Sequence, residues 1–339
     1  MAKENQAALT IQEEFANKIK AENRREKLIK WAPVLVLAAL IIVFTAARGT
    51  AFFSASNLVA ILNQWAIPLL VALGLTFVIM LGSIDLSIDG TVGMAGSIAS
   101  VLVANTLNSN NLGIFGIIIA ILCSVFVGFL IGLIHVKLKI PSFMVSFAFQ
   151  NICIGIAYIS YSGTPATITD PLLKALPKTS FLGIPFITWV ALIMLVVCIY
   201  IQEFTPFGRH IYAVGTDETI PRSVGINVDV VKIKVFTLAG LLFGIAGVIG
   251  LLRLGQGQAG IGKDLMFPAQ AAVVIGGTSL AGGKGGVINT IVGTLIMTVL
   301  INGLTMMGVN PNIKTGIQGV IILVAVILTV KRGATVISK

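Results

Sequence analysis

Long apolar runs separated by short polar stretches fill this chain, and most of the runs are long enough to cross a bilayer. A spanning helix needs about 20 mostly apolar residues. Ten segments fit, roughly 31–47, 57–81, 88–105, 113–136, 142–161, 185–203, 231–252, 265–281, 286–308 and 314–331. The pattern predicts an all-α, polytopic membrane protein with about ten transmembrane helices. Two segments are open to being broken or re-entrant: 57–81 holds Pro68 and Gly74, and 265–281 is short and flanked by glycine. The run 31–47 reads as a first membrane helix rather than a signal peptide, since about thirty residues including acids precede it and no small-x-small cleavage site follows.

Charge placement orients these spans. With both termini cytoplasmic, seventeen basic residues fall inside and six outside, namely Arg48, Lys174, Lys178, Arg253, Lys263 and Lys314. The opposite orientation would invert the positive-inside bias. The chain then divides into a cytoplasmic segment 1–30, a transmembrane region 31–332 with an inner loop at about 204–230, and a cytoplasmic tail 333–339. An outer loop at about 162–184 carries Pro165, Pro171, Pro177 and Gly183 and reads as extended structure.

Composition adds to this reading. Apolar residues make up 56% of the chain and charged residues 11%, with mean hydropathy +1.00. So little polar material cannot coat a soluble domain, whereas lipid needs no such coat. The net charge of +10 forms no basic stripe interleaved with aromatics, so it carries topology and not nucleic-acid binding. Cys123, Cys153 and Cys198 lie in apolar runs without metal-ligand spacing and read as small buried residues.

Few residues offer catalytic chemistry. Gly277–Gly286 resembles a phosphate-binding loop, but Thr278 stands where the first glycine belongs and Gly285 follows Lys284. His135 and His210 sit at inner span ends without a carboxylate pair or a serine arrangement around them. No catalytic residue, metal site or cofactor is expected on the chain.

Polar residues in or beside spans are the remaining candidates. Asp85, Ser87 and Asp89 interrupt two spans. They form either a solvated inner turn, with Ser87 or Asp89 capping the next helix, or the hinge of a broken helix at membrane depth. Asn63, Gln64, Gln150, Asn151, Gln270, Asn289, Asn302 and Gln318 lie within spans. Each is able to bond a neighbouring helix, or to line a path for a polyhydroxylated solute beside Trp65, Phe147, Phe149 or Tyr158. Gly240, Gly244, Gly247 and Gly250, like Gly128 and Gly132, recur at helical spacing. They suit close helix packing, or interfaces that slide during gating.

Three ordered blocks carry a resemblance. Ile84-Asp-Leu-Ser87 is similar to a signature of permease subunits of bacterial sugar ABC importers of the ribose/xylose/arabinose type. So are Gly208-Arg-His-Ile-Tyr-Ala-Val-Gly215 with Arg222 and Gly225-Ile226, and Gly276–Gly286 with Asn302-Gly303 and Gly308. Order and spacing match across nearly the whole chain beyond residue 30.

The resemblance implies a second permease chain in a homodimer, cytoplasmic ATPase subunits carrying ATP and magnesium, and a periplasmic or lipid-anchored sugar-binding protein. It makes the inner loop an ATPase-coupling element that includes Gly208, Arg209, Tyr212, Ala213, Gly215, Asp217, Arg222, Gly225 and Ile226. Candidate path or gating residues are Asp85, Ser87, Asn63, Gln64, Asn151, Gln270 and Asn302. The chain departs from the family pattern at Asp217, where Asn is common, at Ile220-Pro221, where alanines are common, and at Asp89-Gly90. Asp217 is still able to cap a helix, and Pro221 fits only a first helical turn, so the coupling helix is expected to start late. Two other classes remain open: an ABC permease for a branched-chain amino acid or a furanone-type signal, and a stand-alone secondary transporter or channel.

Overall fold

The structure is a computed structural model that describes residues 31–329. The expected segments 1–30 and 333–339 lie outside the described residues. Thirteen helices follow one another among the described residues: α1 (Trp31–Ala51), α2 (Ala55–Met80), α3 (Ile88–Leu102), α4 (Ile114–Leu138), α5 (Ser142–Tyr161), α6 (Pro171–Ala175), α7 (Phe186–Phe204), α8 (Pro206–Thr216), α9 (Thr219–Ser223), α10 (Val228–Leu254), α11 (Met266–Ile275), α12 (Val287–Met306) and α13 (Pro311–Thr329). Seven of them, α1, α2, α4, α5, α7, α10 and α12, are long and apolar enough to cross a membrane.

α2 and α10 form the centre. Ser54 starts α2 by accepting the N–H of Asn57, and the helix runs unbroken through Pro68 for 26 residues. Its stretch from Leu69 to Met80 is buried on every face. Asn227 caps α10 by accepting the N–H of Val230, and Gly255, at φ +72, ends it in the left-handed conformation that glycine adopts without penalty. By contrast, α4, α5 and α7 leave Phe115, Ile118, Leu122, Ile152 and Val196 exposed, as lipid-facing helices do.

The glycine repeats work as packing surfaces. A methyl group on Gly132 would stand 2.9 Å from Ile233 Cα, and one on Gly244 would stand 2.9 Å from Ser124 Cβ. Gly128 and Gly240 face each other just as closely across the α4–α10 contact, and Gly247 meets α3 at Val92. Polar glue between helices comes from residues other than the amides. Trp65 Nε1 donates to Thr294 Oγ1 at 2.8 Å, Thr76 and Thr290 share a hydroxyl bond of 2.6 Å, and Thr188 donates to Leu62 O at 3.0 Å. These tie α12 and α7 to α2.

Two predicted spans are shorter than the pattern suggested. The segment 88–105 contains a helix of only 15 residues, and 265–281 one of only 10. At 1.5 Å per residue, α11 covers about 15 Å, half a hydrocarbon core. α3 is preceded by extended chain, and α11 by the strand Gln256–Gly257 and a single 3-10 turn, Ala259–Gly262. Residues 82–87 climb beside the start of α5, where Ile84 N–H donates to Ser142 Oγ at 3.1 Å and Leu86 N–H to Ser146 Oγ at 2.9 Å. The chain after α10 descends along α3: Gly257 packs on Ser100, Ala259 on Gly93 and Gly262 on Asp89. Both helices stop before their predicted ends: α3 at Leu102, where Val103 turns extended, and α11 at Ile275, where Gly276 and Gly277, the latter at φ +105, turn the chain. Of the two possibilities open for 57–81, a continuous span or a broken one, α2 is continuous.

Short strand pairs close one face. β1 (Ala166–Thr167) pairs antiparallel with β4 (Gln256–Gly257), and β2 (Ser180–Phe181) with β3 (Ile184–Pro185). Thr106 N–H donates to Thr167 O at 3.0 Å, which brings the 103–112 loop to the same face.

Candidate functional site

The 204–230 loop is organised by two short helices with different burial. Thr205 caps α8 by accepting the N–H of Gly208, and Pro206 occupies the first turn, where its missing N–H costs nothing. α8 buries Gly208, Ile211, Val214 and Gly215 against the bundle. Gly215 is the tightest point. A methyl group there would collide with Met80 O and stand 2.7 Å from Gly283 N. Gly283 N–H itself donates to Met80 O at 2.9 Å.

The glycine-rich segment 276–286 clasps this contact from the other side. Tyr212 Oη donates to Gly285 O at 2.7 Å. Burial first, and then the nearby Glu203 carboxylate, push the Tyr212 phenol up from its ordinary value, so it remains the donor. Gln202, at the end of α7, accepts the N–H of Val287 at 2.7 Å and so caps the start of α12. One cluster therefore joins the C-terminal ends of α2, α7 and α8 to the start of α12. Gln202, Met80 and Gly283 belong to it and sequence reasoning missed them. Gln202 belongs to no motif in the sequence, and a backbone contact leaves no side-chain signal.

α9 stands out from the bundle. It starts late, with Pro221 in its first turn as the proline requires. Asp217 accepts the N–H of Thr219 at 2.8 Å and its hydroxyl at 2.7 Å, so it organises the helix start although Glu218 occupies the cap position. Two ion pairs hold α9 to α10: Arg222–Asp229 at 2.7 Å and Glu218–Lys232 at 2.7 Å. The partner of Arg222 is thus in its own chain, while Arg209 is exposed. Ile220 and Val224, four residues apart, are 64% and 71% exposed on the face of α9 turned from the protein. Ala213 and Ile226 are half-buried beside the loop, and Gly225, at φ +83, ends α9.

The candidate path residues do not gather in one place. Asp85 and Ser87 lie at the break before α3, both about 1% exposed. Asp85 Oδ1 accepts the N–H and the hydroxyl of Ser87 at 2.8 and 2.6 Å. Their burial makes this a buried break and not a solvated turn. Asp89 caps α11, not α3, by accepting Met266 N–H at 2.8 Å. Asn63 and Gln64 line a cavity of about 760 Å³ at the strand-bearing face. Asn151 is exposed on α5 and donates to Phe147 O. Gln270 Nε2 and Asn302 Oδ1 are buried without a partner among the described residues. Among the described residues no group of three or more His, Cys, Asp or Glu side chains could hold a metal ion.

Seven helices of membrane-spanning length, two short apolar helices packed among them and a clasped 204–230 loop describe a polytopic membrane protein. Residues 57–326 match the family described as branched-chain amino acid transport system / permease component, and the chain belongs to that family. The chain is 35% identical over 233 residues to the ribose import permease of Haemophilus influenzae, covering 67% of this chain and 71% of that one. It is 35% identical over 252 residues to the ribose import permease of Bacillus subtilis, covering 74% and 77%. With the L-arabinose ABC transporter permease of Azospirillum brasilense it shares 32% over 209 residues, covering 62% and 60%. No solved structure matches. The chain is a multi-pass permease component of the carbohydrate-uptake ABC transporter type, a transport subunit and not an enzyme. The resemblance seen in the three blocks is borne out at this level.

Proposed function

We infer that this chain is the membrane path of an importer that carries a monosaccharide across the bacterial cytoplasmic membrane. Two copies form the path, cytoplasmic ATPase subunits drive it, and a solute-binding protein feeds it from outside. The transmembrane region 31–332 makes ten crossings with both termini cytoplasmic. Segments 82–87 and 256–265 complete the crossings of α3 and α11.

The observation that carries this reading is α9. A five-residue helix that, with the Val224 following it, exposes two large apolar side chains, yet is pinned to a central helix by two ion pairs, suits a knob for a partner's groove. Movement imposed on α9 reaches α8 through the short Asp217 turn. From α8 it reaches the ends of α2 and α12 through Gly215 and Tyr212. Ribose and arabinose import by the relatives supports a sugar as the solute.

Co-purification tests the reading. Tagged wild-type chain, expressed with its neighbouring ABC ATPase, should retain the ATPase through solubilisation. Ile220→Asp and Val224→Asp should lose it while reaching the membrane at wild-type levels. An ATPase that stays bound to both variants removes α9 as the coupling contact.

A further inference from the structure

Three cations converge on one cavity at the strand-bearing face. Lys174 and Lys178, from the loop that holds α6, and Arg253, from the last turn of α10, line the 760 Å³ space together with Asn63 and Gln64. A second cavity, of about 420 Å³, continues inward between α2, α10 and α12 and has Thr298 in its lining. Gln64, Arg253 and Leu254 line both cavities. A solute passing from the outer to the inner space therefore moves past the Arg253 guanidinium.

The chemistry of the two linings is one-sided. Neither contains a carboxylate or an aromatic ring. None of the three cations forms an ion pair among the described residues. The positive-inside rule works against lysine and arginine on the outer side, so their convergence there needs another cause. A neutral sugar is served by amides, carboxylates and ring faces. Three cations in a cleft focus a positive potential that draws anions, and a guanidinium pairs with a carboxylate or phosphate through two parallel bonds.

We propose that the solute is a monosaccharide bearing an acidic group, a sugar acid or a sugar phosphate, and that Arg253 selects it at the junction of the two cavities. This rests on the carbohydrate-import reading above. Asn63 and Gln64 meet the hydroxyls in the outer space, and Lys174 and Lys178 gather the anion at the mouth.

Uptake kinetics in the source bacterium test this, with labelled D-ribose, D-galactose, D-gluconate, D-galacturonate and D-glucose 6-phosphate as probes. Deleting the gene should abolish uptake of at least one acidic probe. Arg253→Gln should raise KM for that probe about tenfold with little change in maximal rate, and Arg253→Lys should recover part of the loss. The acid and phosphate probes separate the two anion sources. Immunoblots of membranes establish that each variant is present. If Arg253→Gln fails to accumulate, Lys174→Gln/Lys178→Gln, in an exposed loop, should raise KM about threefold.

Other outcomes overturn the proposal. If deletion abolishes only neutral-sugar uptake and Arg253→Gln leaves its KM unchanged, carbohydrate import stands and the acidic solute does not. If Arg253→Gln lowers uptake of neutral and acidic probes alike and releases a co-purifying solute-binding protein, the cations serve protein docking. If deletion alters uptake of no saccharide, the import reading falls as well.

Discussion

Asp89, in the first turn of α3, accepts the backbone N–H of Met266 at 2.8 Å, from a residue 177 positions later in the chain. The N–H groups of Leu265 and Asp264 also face this carboxylate. One acid thus satisfies backbone donors at the start of α11 that have no partner within the helix itself. The family pattern usually has Gly-Ser here, so Asp89 supplies this chain's own fastening of a half-helix.

Removing that carboxylate should loosen α11. Asp89→Ala leaves the helix start uncapped, and cap removal costs about 1 kcal/mol. Thermal unfolding of the purified protein in detergent should shift down by several degrees, and Asp89→Asn, which keeps an acceptor, should recover part of the shift. An unchanged midpoint for Asp89→Ala would mean that the α11 start is satisfied by other groups.

The break before α3 gives a second test. Asp85 folds residues 85–87 onto themselves through both bonds to Ser87, while Ser142 and Ser146 hold the same segment from α5. Asp85→Ala should reduce uptake severalfold with normal membrane insertion. A full uptake rate would make Asp85 a turn former that the two serines can replace.

The helical bundle was legible in the sequence because apolar length is a direct signal, and α2, α4, α5, α7, α10 and α12 lie where that length puts them. The half-helices were only partly legible. Gly257, Ala259 and Gly262 fit tightly against α3 because they are small, and smallness serves loops, packing and turns alike. Arg253 was visible only as an outer cation. Its place between two cavities depends on how α10 is rotated, which hydropathy averaged over a span does not encode. The partner of Asn151 was equally hidden: its Nδ2 donates within its own helix, to Phe147 O at 2.9 Å, which the apolar length of a span does not reveal.

Two glycines in the inner loop should respond differently to substitution. Gly215 has no room: an added carbon meets the α2 end and Gly283 backbone. Gly225 has open space around it, and its cost comes from φ +83 alone, about 1 kcal/mol for an alanine. Gly215→Ala should uncouple sugar uptake from ATP hydrolysis, while Gly225→Ala should keep most of the coupled rate. ATPase activity measured with and without solute in reconstituted complexes reads both. Equal loss in the two variants would show that the φ of the α9 end, and not the α8 wedge, limits coupling.

The two ion pairs on α9 should also differ in weight. Arg222 and Asp229 have side chains 52% and 43% exposed, whereas Lys232 and Glu218 are 13% and 22% exposed. Exposed pairs contribute about 0–1 kcal/mol because water screens them. Shielding makes the second pair stronger, and losing one member leaves the other charge poorly solvated. Lys232→Ala should therefore depress solute-stimulated ATPase activity much more than Arg222→Ala. The double variant Glu218→Ala/Lys232→Ala should recover part of the activity lost by Lys232→Ala, because no half-buried charge is left unpaired. Raising the salt concentration should weaken Arg222-dependent coupling in the wild type and leave the Lys232 contribution largely intact. If both single variants lose activity equally and salt affects them alike, the pairs act only as surface charge, and α9 is held by Pro221 and the chain ends around it.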